Sequence, residues 1–249
     1  MAPGLVLVVV GLAAFSGLLD AVQEQDDVSL ADRPVLAWLV SNRGPVATTV
    51  LSAITFISGP FVLPLVVAVA CLGWGLARRQ WWRPLLLLGA LGGSTALSFA
   101  IKGLVARPRP PLDTMLVPGA ETTASFPSGH TIGAATLLLV AGYLAISHRP
   151  TAARLLAWAF ATVLGILAVG LSRLYLGYHF LTDVLAAVAL AVAILGIVVT
   201  VDRVHLLPGL QAEASRHDPV PRPARGERSR GDERPRRGSD DVAGTGPVR

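Results

Sequence analysis

The sequence predicts an all-α fold, a polytopic membrane helix bundle of six transmembrane helices with both termini in the cytoplasm and a disordered C-terminal tail. Of the 249 residues, 53% are hydrophobic and only 15% are charged, whereas soluble domains have about 25% charged residues. The mean hydropathy is +0.60. Apolar stretches also recur at about the 17–25 residues that cross a bilayer. The net charge of +5 lies largely in short connections and the tail, so it indicates membrane topology and no nucleic-acid partner.

Six apolar stretches are candidates for spans. They cover residues 4–19, 61–76, 85–105, 131–146, 155–171 and 181–201. The second stretch is short, so we expect it to extend back through residues 49–58, with a kink at Gly59 and Pro60. Residues 46–76 could instead cross twice, but a helix of about 46 Å is short for two crossings of ~30 Å each. Two crossings would also place every later basic connection outside.

The first apolar stretch and the segment before the second one have different predicted roles. The stretch at 4–19 lacks the positively charged start of a signal peptide, so we expect an uncleaved span. Residues 34–40, which include Trp38, predict a short interfacial helix that leads into the second span. Cys71 is the only cysteine and lies within an apolar stretch, which indicates a packing role and excludes an intramolecular disulfide.

Basic residues mark alternate connections between the stretches. They follow the second and fourth stretches and fill the tail, at Arg78, Arg79, Arg83, His148, Arg149, Arg154 and beyond residue 203. The connection after the first stretch is acidic instead. By the positive-inside rule the basic connections and both termini are cytoplasmic, in what we expect to be a bacterial inner membrane. We predict a transmembrane domain at 1–202 and a disordered, Arg/Pro/Gly-rich cytoplasmic tail at 203–249.

This topology collects the chemically interesting residues on the external face. The connections between spans three and four and between spans five and six both lie there. They and the adjoining helix ends carry the candidate residues Lys102, Arg109, Ser128, Gly129, His130, Arg173, His179 and Asp183. Charged groups beside hydrocarbon-length helices are costly unless they face a site. We therefore expect these groups to meet at one membrane boundary.

Five of the candidates suit a phosphate group. Lys102, Arg109 and Arg173 supply three cations, and arginine forks match the paired oxygens of a phosphate. Ser128 is a candidate N-cap for the fourth span. Gly129 permits close backbone approach at a helix N-terminus, where free N–H groups bind anions. The pattern predicts a binding site for a phosphate monoester or a diphosphate.

The remaining three candidates suit phosphoryl transfer. His179 and Asp183 are four residues apart and would share a face in a helix. Asp183 can hold one imidazole nitrogen and leave the other free to attack phosphorus. His130 can then protonate the leaving oxygen. The carboxylates near the site, Asp113, Glu121 and Asp183, are scattered in the sequence, so we predict a metal-independent mechanism without a cofactor.

These residues also carry a family resemblance. The strings K-G-L-V-A-R-P-R-P at 102–110, P-S-G-H at 127–130 and S-R-L-Y-L-G-Y-H-F-L-T-D at 172–183 resemble the three-part signature of the type 2 phosphatidic acid phosphatase superfamily. That signature reads K-x6-R-P, P-S-G-H and S-R-x5-H-x3-D, and every position is filled. The resemblance covers about residues 30–200. It implies six helices and an external active site that dephosphorylates lipid phosphates.

The resemblance also implies a role for each residue. His179 is expected to form a phosphohistidine, with Asp183 as its orienting partner and His130 as the general acid. The expected phosphate binders are Lys102, Arg109, Ser128, Gly129 and Arg173. The soluble vanadium haloperoxidases share the signature, but six spans argue against that alternative.

The sequence therefore predicts an integral membrane lipid phosphatase. Phosphatidic acid, phosphatidylglycerol phosphate and polyprenyl diphosphate all present a suitable head group, and the sequence does not choose among them. Two alternatives remain open. One is a non-catalytic protein that binds or transports lipid phosphates, and the other is a phosphotransferase that uses an acceptor other than water.

Overall fold

A computed structural model describes residues 2–147 and 151–217, with side chains described up to residue 206. Within these ranges the chain forms eight α-helices and two short 3-10 turns, and no strand. The helices are α1 (Ala2–Glu24), α2 (Asp32–Ser41), α3 (Pro45–Ile57), α4 (Val62–Arg78), α5 (Trp82–Val105), α6 (Gly129–Ile146), α7 (Ala152–Tyr175) and α8 (Leu181–His217). The 3-10 turns are Asp27–Ala31 and Leu112–Thr114. The all-α prediction is confirmed.

Five helices are individually long and apolar enough to cross a membrane, namely α1, α5, α6, α7 and the Leu181–Leu206 part of α8. Helices α3 and α4 pass the same test only together, and they bend by 52° at the break between them. Gly59 and Pro60 lie in that break, where the kink was predicted, and proline removes a backbone donor from a helix. Counted as one broken span, the pair completes six crossings.

Helix α2 forms where the sequence predicted a short interfacial helix. It buries Leu36 and Leu39 and exposes Trp38. Arg43 follows α2 and anchors the chain there. Its Nε donates to the Tyr175 carbonyl at 2.8 Å, and its Nη2 donates to the Thr114 carbonyl at 2.6 Å. These bonds fix the segment before α3 to the end of α7 and to the connection after α5.

The main core lies between α4, α5, α6 and α8. Its members are apolar and almost fully buried, and they include Cys71, Leu87, Val140, Leu144 and Leu190. Cys71 thus has the packing role predicted for it. Small residues bring α1 against α8, because a Cβ added at Gly11 would lie only 2.6 Å from the Ala189 carbonyl oxygen.

Helix α8 continues past the predicted start of the tail at residue 203 and extends to His217. The boundary is predicted from a composition rich in Arg, Asp, Glu, Pro and Gly, with few apolar residues after Leu210. Leucine and alanine, which are good helix formers, nevertheless continue past residue 203. By its contacts the chain divides into Met1–Pro208 and Gly209–Arg249. Residues 218–249, which carry most of the predicted disordered tail, lie outside the described residues.

Candidate active site

Four helix ends and two connections meet at one end of the bundle. These are the C-terminal ends of α5 and α7, the N-terminal ends of α6 and α8, and the connections 106–128 and 176–180. Backbone hydrogen bonds join them, since Ser128 N donates to the Asp183 carbonyl at 3.0 Å and Leu116 N donates to the Leu176 carbonyl at 2.9 Å. All eight candidate residues lie at this end, as the alternating topology predicted.

His179 and Asp183 form a buried pair. His179 Nδ1 lies 3.2 Å from Asp183 Oδ2, with side-chain exposures of 1% and 0%. His179 precedes α8 rather than sharing a helical face with Asp183, so the carboxylate reaches back from the first turn of the helix. Phe180 N also donates to Asp183 Oδ2, at 2.9 Å. Because an ionised carboxylate only accepts, Nδ1 carries the proton and Nε2 keeps its lone pair.

Burial keeps the His179 ring neutral. It lowers the pKa of His179 to about 4, because a charged ring is poorly solvated there. The Asp183 carboxylate opposes this shift, while the charges of Arg173 and Arg109 add to it. At neutral pH the Nε2 lone pair is therefore available as a nucleophile.

Arg109 lies beside that nitrogen and shares a carboxylate partner with Arg173, and the two are here called the arginine pair. Arg109 Nη1 is 3.4 Å from His179 Nε2. Arg109 Nη2 pairs with Glu121 Oε2 at 3.1 Å, and Arg173 Nη2 pairs with Glu121 Oε1. The Arg173 guanidinium lies 4.7 Å from the centre of the Tyr178 ring and is 1% exposed. The site thus has a carboxylate held by two arginines next to the free nitrogen of His179.

The charges around Glu121 favour its ionised form. Burial opposes ionisation, but the guanidinium groups of Arg173 and Arg109 outweigh it and lower the pKa of Glu121. His130 and His179 lower the pKa of Glu121 further, which indicates that both imidazoles lie within electrostatic range of the carboxylate. Burial also lowers the pKa of Arg109, and Glu121 counteracts that shift.

The other predicted phosphate binders have different partners. Lys102 Nζ donates to the Ala124 carbonyl, and it donates to the Ser125 carbonyl at 3.2 Å. Since an ammonium has three donors, one is left for a ligand. Ser128 is the N-cap residue of α6 by position, but its hydroxyl pairs with Thr131 Oγ1 at 3.0 Å instead of capping a backbone N–H. A Cβ at Gly129 would meet nothing within 4 Å, so the N-terminus of α6 faces open space.

His130 is half-buried in the first turn of α6. A Cβ added at Gly59 would lie 3.7 Å from His130 Nε2, so the break between α3 and α4 packs beside this imidazole. No side-chain hydrogen bond to His130 is present within the described part of the chain. Its nitrogen atoms therefore stay available for a ligand.

The chain matches a known family of membrane proteins. The profile of the PAP2 superfamily matches residues 83–205. Over 185 residues the chain is 34% identical to phosphatidylglycerophosphatase B of Bacillus subtilis strain 168, covering 73% of this chain and 88% of that protein. The chain belongs to the PAP2 superfamily. The resemblance drawn from its three motifs is confirmed.

Solved structures agree with the PAP2 assignment. The crystal structure of a transmembrane PAP2 type phosphatidylglycerolphosphate phosphatase from Bacillus subtilis matches with a TM-score of 0.69 and 27% identity, covering 78% of this chain and 96% of that chain. LpxE of Aquifex aeolicus matches with a TM-score of 0.51 and 22% identity, covering 68% of this chain and 93% of that chain, and shows the fold alone. The chain is a multi-pass membrane lipid phosphatase of the PAP2 superfamily.

Residues at variable positions of the PAP2 signature or outside it complete the surroundings of Asp183. Arg107 Nη1 donates to Asp183 Oδ1 at 2.6 Å, and Arg107 Nη2 pairs with Asp32 Oδ2 at 2.7 Å. Asp32 in turn accepts from Thr182 N at 2.9 Å and from the Thr182 hydroxyl at 2.6 Å. Ser125 Oγ donates to Asp183 Oδ2. Asp32 lies before the residues that the family profile matches, so α2 contributes to the site from outside that region.

Sequence reasoning missed Arg107, Asp32 and the position of Glu121. Arg107 lies two residues before Arg109 in the first motif, and its proximity to that motif was a usable signal. Asp32 belongs to the acidic connection after the first stretch, and nothing in the sequence marks its carboxylate as the buried one. Glu121 was treated as a scattered carboxylate, yet it lies between the arginine pair. Among the described residues, no group of three His, Cys, Asp or Glu side chains is arranged to hold a metal ion.

A groove adjoins the site on the side of α2. Its volume is about 920 Å³, and it runs between the end of α1, α2 and the connection after α5. Asp32, Arg107, Arg109 and Phe180 are among its lining residues. The groove therefore reaches the arginines of the site, while His130 and His179 do not line it.

Proposed function

We propose that this protein hydrolyses the phosphomonoester of phosphatidylglycerol phosphate through a phosphohistidine at His179, on the extracytoplasmic side of a bacterial inner membrane. One observation carries the proposal. The free Nε2 of His179 lies 3.4 Å from Arg109, and the same guanidinium already holds an anionic group together with Arg173. The space that the Glu121 carboxylate occupies between the arginine pair is here called the phosphate seat.

The first half of the reaction forms a P–N bond and breaks the ester P–O bond. Asp183 holds the Nδ1 proton, so the Nε2 lone pair of His179 attacks phosphorus in line with the leaving oxygen. His130 donates its proton to that oxygen, which leaves as the alcohol of the lipid. Lys102 and the arginine pair stabilise the charge on the three equatorial oxygens.

The second half hydrolyses the phosphohistidine. Neutral His130 takes a proton from a water molecule, whose oxygen attacks phosphorus on the face that the alcohol has left. The P–N bond breaks, and its electron pair returns to His179 Nε2. Inorganic phosphate departs, and His130 is again protonated for the next cycle. No step requires a metal ion or an organic cofactor.

The charge distribution supports an external site. Helix α5 has Arg83 near its start and Lys102 near its end, so these residues mark opposite ends of the bundle. Arg78 and Arg79 lie at the same end as Arg83, at the close of α4. By the positive-inside rule that end is cytoplasmic, and the site at the other end faces the extracytoplasmic side.

The choice of substrate is supported by the relatives. The Bacillus subtilis protein that is 34% identical carries the name phosphatidylglycerophosphatase B. The solved Bacillus subtilis structure is a phosphatidylglycerolphosphate phosphatase, and this chain covers 96% of it. The lipid would enter from the outer leaflet, with its phosphate in the seat and its acyl chains in the bilayer.

A substrate panel tests the proposal. Phosphate release from purified, detergent-solubilised protein should be fastest with phosphatidylglycerol phosphate and slower with phosphatidic acid and polyprenyl diphosphate. His179→Gln should abolish release, whereas the matched control His205→Gln, which changes a histidine stacked on Trp82, should retain it. Faster release from either of the other lipids would overturn the substrate assignment. Release that requires an added alcohol acceptor would indicate a phosphotransferase instead.

A further inference from the structure

The Glu121 carboxylate lies where an anionic oxygen of the substrate would be expected to bind. Its two carboxylate oxygens pair separately with Arg109 and Arg173. Arginine forks recognise carboxylates and phosphates by the same bidentate geometry. Since Arg109 also contacts His179 Nε2, the carboxylate lies next to the nucleophile, where a phosphoryl group would be attacked.

The seat is larger than the carboxylate that fills it. Arg173 is 1% exposed, and its Nε has no hydrogen-bond partner among the described residues. A buried guanidinium N–H without an acceptor is costly and indicates a missing ligand. A phosphoryl group has three non-bridging oxygens, one more than a carboxylate, and can supply that acceptor.

The Glu121 carboxylate can also be displaced from the arginine pair. Its side chain is 23% exposed, and its described hydrogen bonds go only to the arginine pair. It lies in the irregular connection between the 3-10 turn and α6, two residues after Gly119, which has a φ of +75°. A glycine in that conformation marks a turn in which the backbone moves at low steric cost. The carboxylate can therefore swing away from the seat while α5, α6, α7 and α8 stay in place.

The surrounding bilayer contains many lipids that could compete with the substrate for the phosphate seat. Most membrane phospholipids are phosphodiesters with a single negative charge on phosphate, and they outnumber any phosphomonoester substrate. Lys102 and the arginine pair would attract these head groups as well, because cations in a poorly solvated site bind any nearby anion. The product of phosphatidylglycerol phosphate hydrolysis is itself such a phosphodiester.

We propose that Glu121 is a specificity-determining residue, an internal competitor that keeps phosphodiester head groups out of the phosphate seat. Its charge of one equals that of a phosphodiester, so a phosphodiester gains little by replacing it. A phosphomonoester has a charge of about −1.5 to −2 at pH 7 and three free oxygens, so it displaces the carboxylate and satisfies Arg173. The inference rests on the proposed function, because it takes the arginine pair as the phosphate-binding site.

Competition in mixed micelles tests the proposal. A fixed amount of phosphatidylglycerol phosphate is presented to the full-length protein with rising fractions of phosphatidylglycerol, a monoanionic phosphodiester. Diacylglycerol, an uncharged lipid without phosphate, is added at equal fractions in parallel to correct for surface dilution. Wild type should be inhibited no more by phosphatidylglycerol than by diacylglycerol. Glu121→Gln should be inhibited by phosphatidylglycerol at a fraction about tenfold lower, which corresponds to about 1.4 kcal/mol of competition.

Two further variants keep the result interpretable. Asp113→Asn removes an exposed carboxylate from the same connection and should behave as wild type. Glu121→Asp keeps the charge on a shorter side chain and should remain closer to wild type than Glu121→Gln. Orthovanadate binding, measured directly, should also be tighter in Glu121→Gln than in wild type.

The outcomes separate the two proposals. If Glu121→Gln raises KM without new sensitivity to phosphatidylglycerol, or binds orthovanadate more weakly, Glu121 only positions the arginines and the inference is wrong. If Asp113→Asn gains the same sensitivity, the effect is one of general surface charge and the inference is also wrong. If wild type releases no phosphate from any phosphomonoester lipid, the proposed function itself fails.

Discussion

Asp183 and Glu121 are two carboxylates of one site that both pair with arginines. They differ in burial and in the number of groups that hold them. Asp183 is fully buried and accepts from four groups, namely Arg107, Ser125, the Phe180 amide and His179. Glu121 is partly exposed and has only the arginine pair as described side-chain partners. The difference indicates that Asp183 is a fixed element that orients the nucleophile, while Glu121 stands where a ligand belongs.

Apart from the loss of the nucleophile His179, the largest effect is expected from His130, which acts on the bound substrate. His130→Gln should lower kcat on lipid substrates by roughly 10²–10⁴-fold, the usual contribution of a general acid or base. With 4-nitrophenyl phosphate the leaving group needs no protonation, so the first step should survive while hydrolysis of the phosphohistidine stays slow. A pre-steady-state burst of nitrophenol measures this difference.

Equal losses on both substrates, without a burst, would show that His130 does not act on the leaving oxygen. Unchanged turnover on lipids would remove it from the mechanism altogether. Because no side-chain hydrogen bond to His130 is present in the described part of the chain, the substitution should leave the thermal stability of the protein unchanged.

A second, smaller effect is expected from the residues that hold Asp183 in place. Arg107→Leu leaves the buried carboxylates of Asp32 and Asp183 without their shared guanidinium, and breaking a buried ion pair in this way costs about 3 kcal/mol. The melting temperature in detergent should fall, and the remaining folded protein should have a lower kcat. Arg33→Leu, which changes an exposed arginine next to Asp32, is the matched control. Equal melting temperatures for the two variants would contradict a structural role for the Arg107 contacts.

The smallest expected effect is a shifted titration of the His179 ring, which is measured without any substitution that impairs activity. The pKa of His179 is lowered to about 4 by burial, so the ring is neutral above that pH and becomes protonated as the pH falls through it. NMR of histidine-labelled protein without substrate should therefore show His179 neutral at pH 6, with His179→Gln used to assign the signal. A midpoint near the ordinary value of about 6.5 would mean that the site is more solvated than the geometry indicates.

Much of the site could be predicted because helix topology is regular. Spans that alternate across a bilayer bring every second connection to one face, so Lys102, His130 and His179 were expected on the same face whatever their contacts. The kink at Gly59 and Pro60 was predictable for a similar reason, since an overlong apolar stretch with a proline must break. These predictions depend on composition and local chemistry alone.

The pairings could not be predicted in the same way. Asp32 reaches Thr182 across 150 positions of the sequence, and no periodic pattern marks which member of an acidic connection becomes buried. The position of Glu121 depends on how an irregular connection folds over the arginine pair. Such contacts follow from tertiary packing, and the sequence offered only their residue types.

The most direct test of the phosphohistidine mechanism is to trap the intermediate. Protein incubated with lipid labelled in its terminal phosphate is quenched in alkali, which preserves phosphohistidine, and the labelled peptide is mapped by mass spectrometry. The mechanism predicts phosphate on His179 in the wild-type protein and none in His179→Gln. Label on another residue, or rapid turnover by His179→Gln, would contradict it.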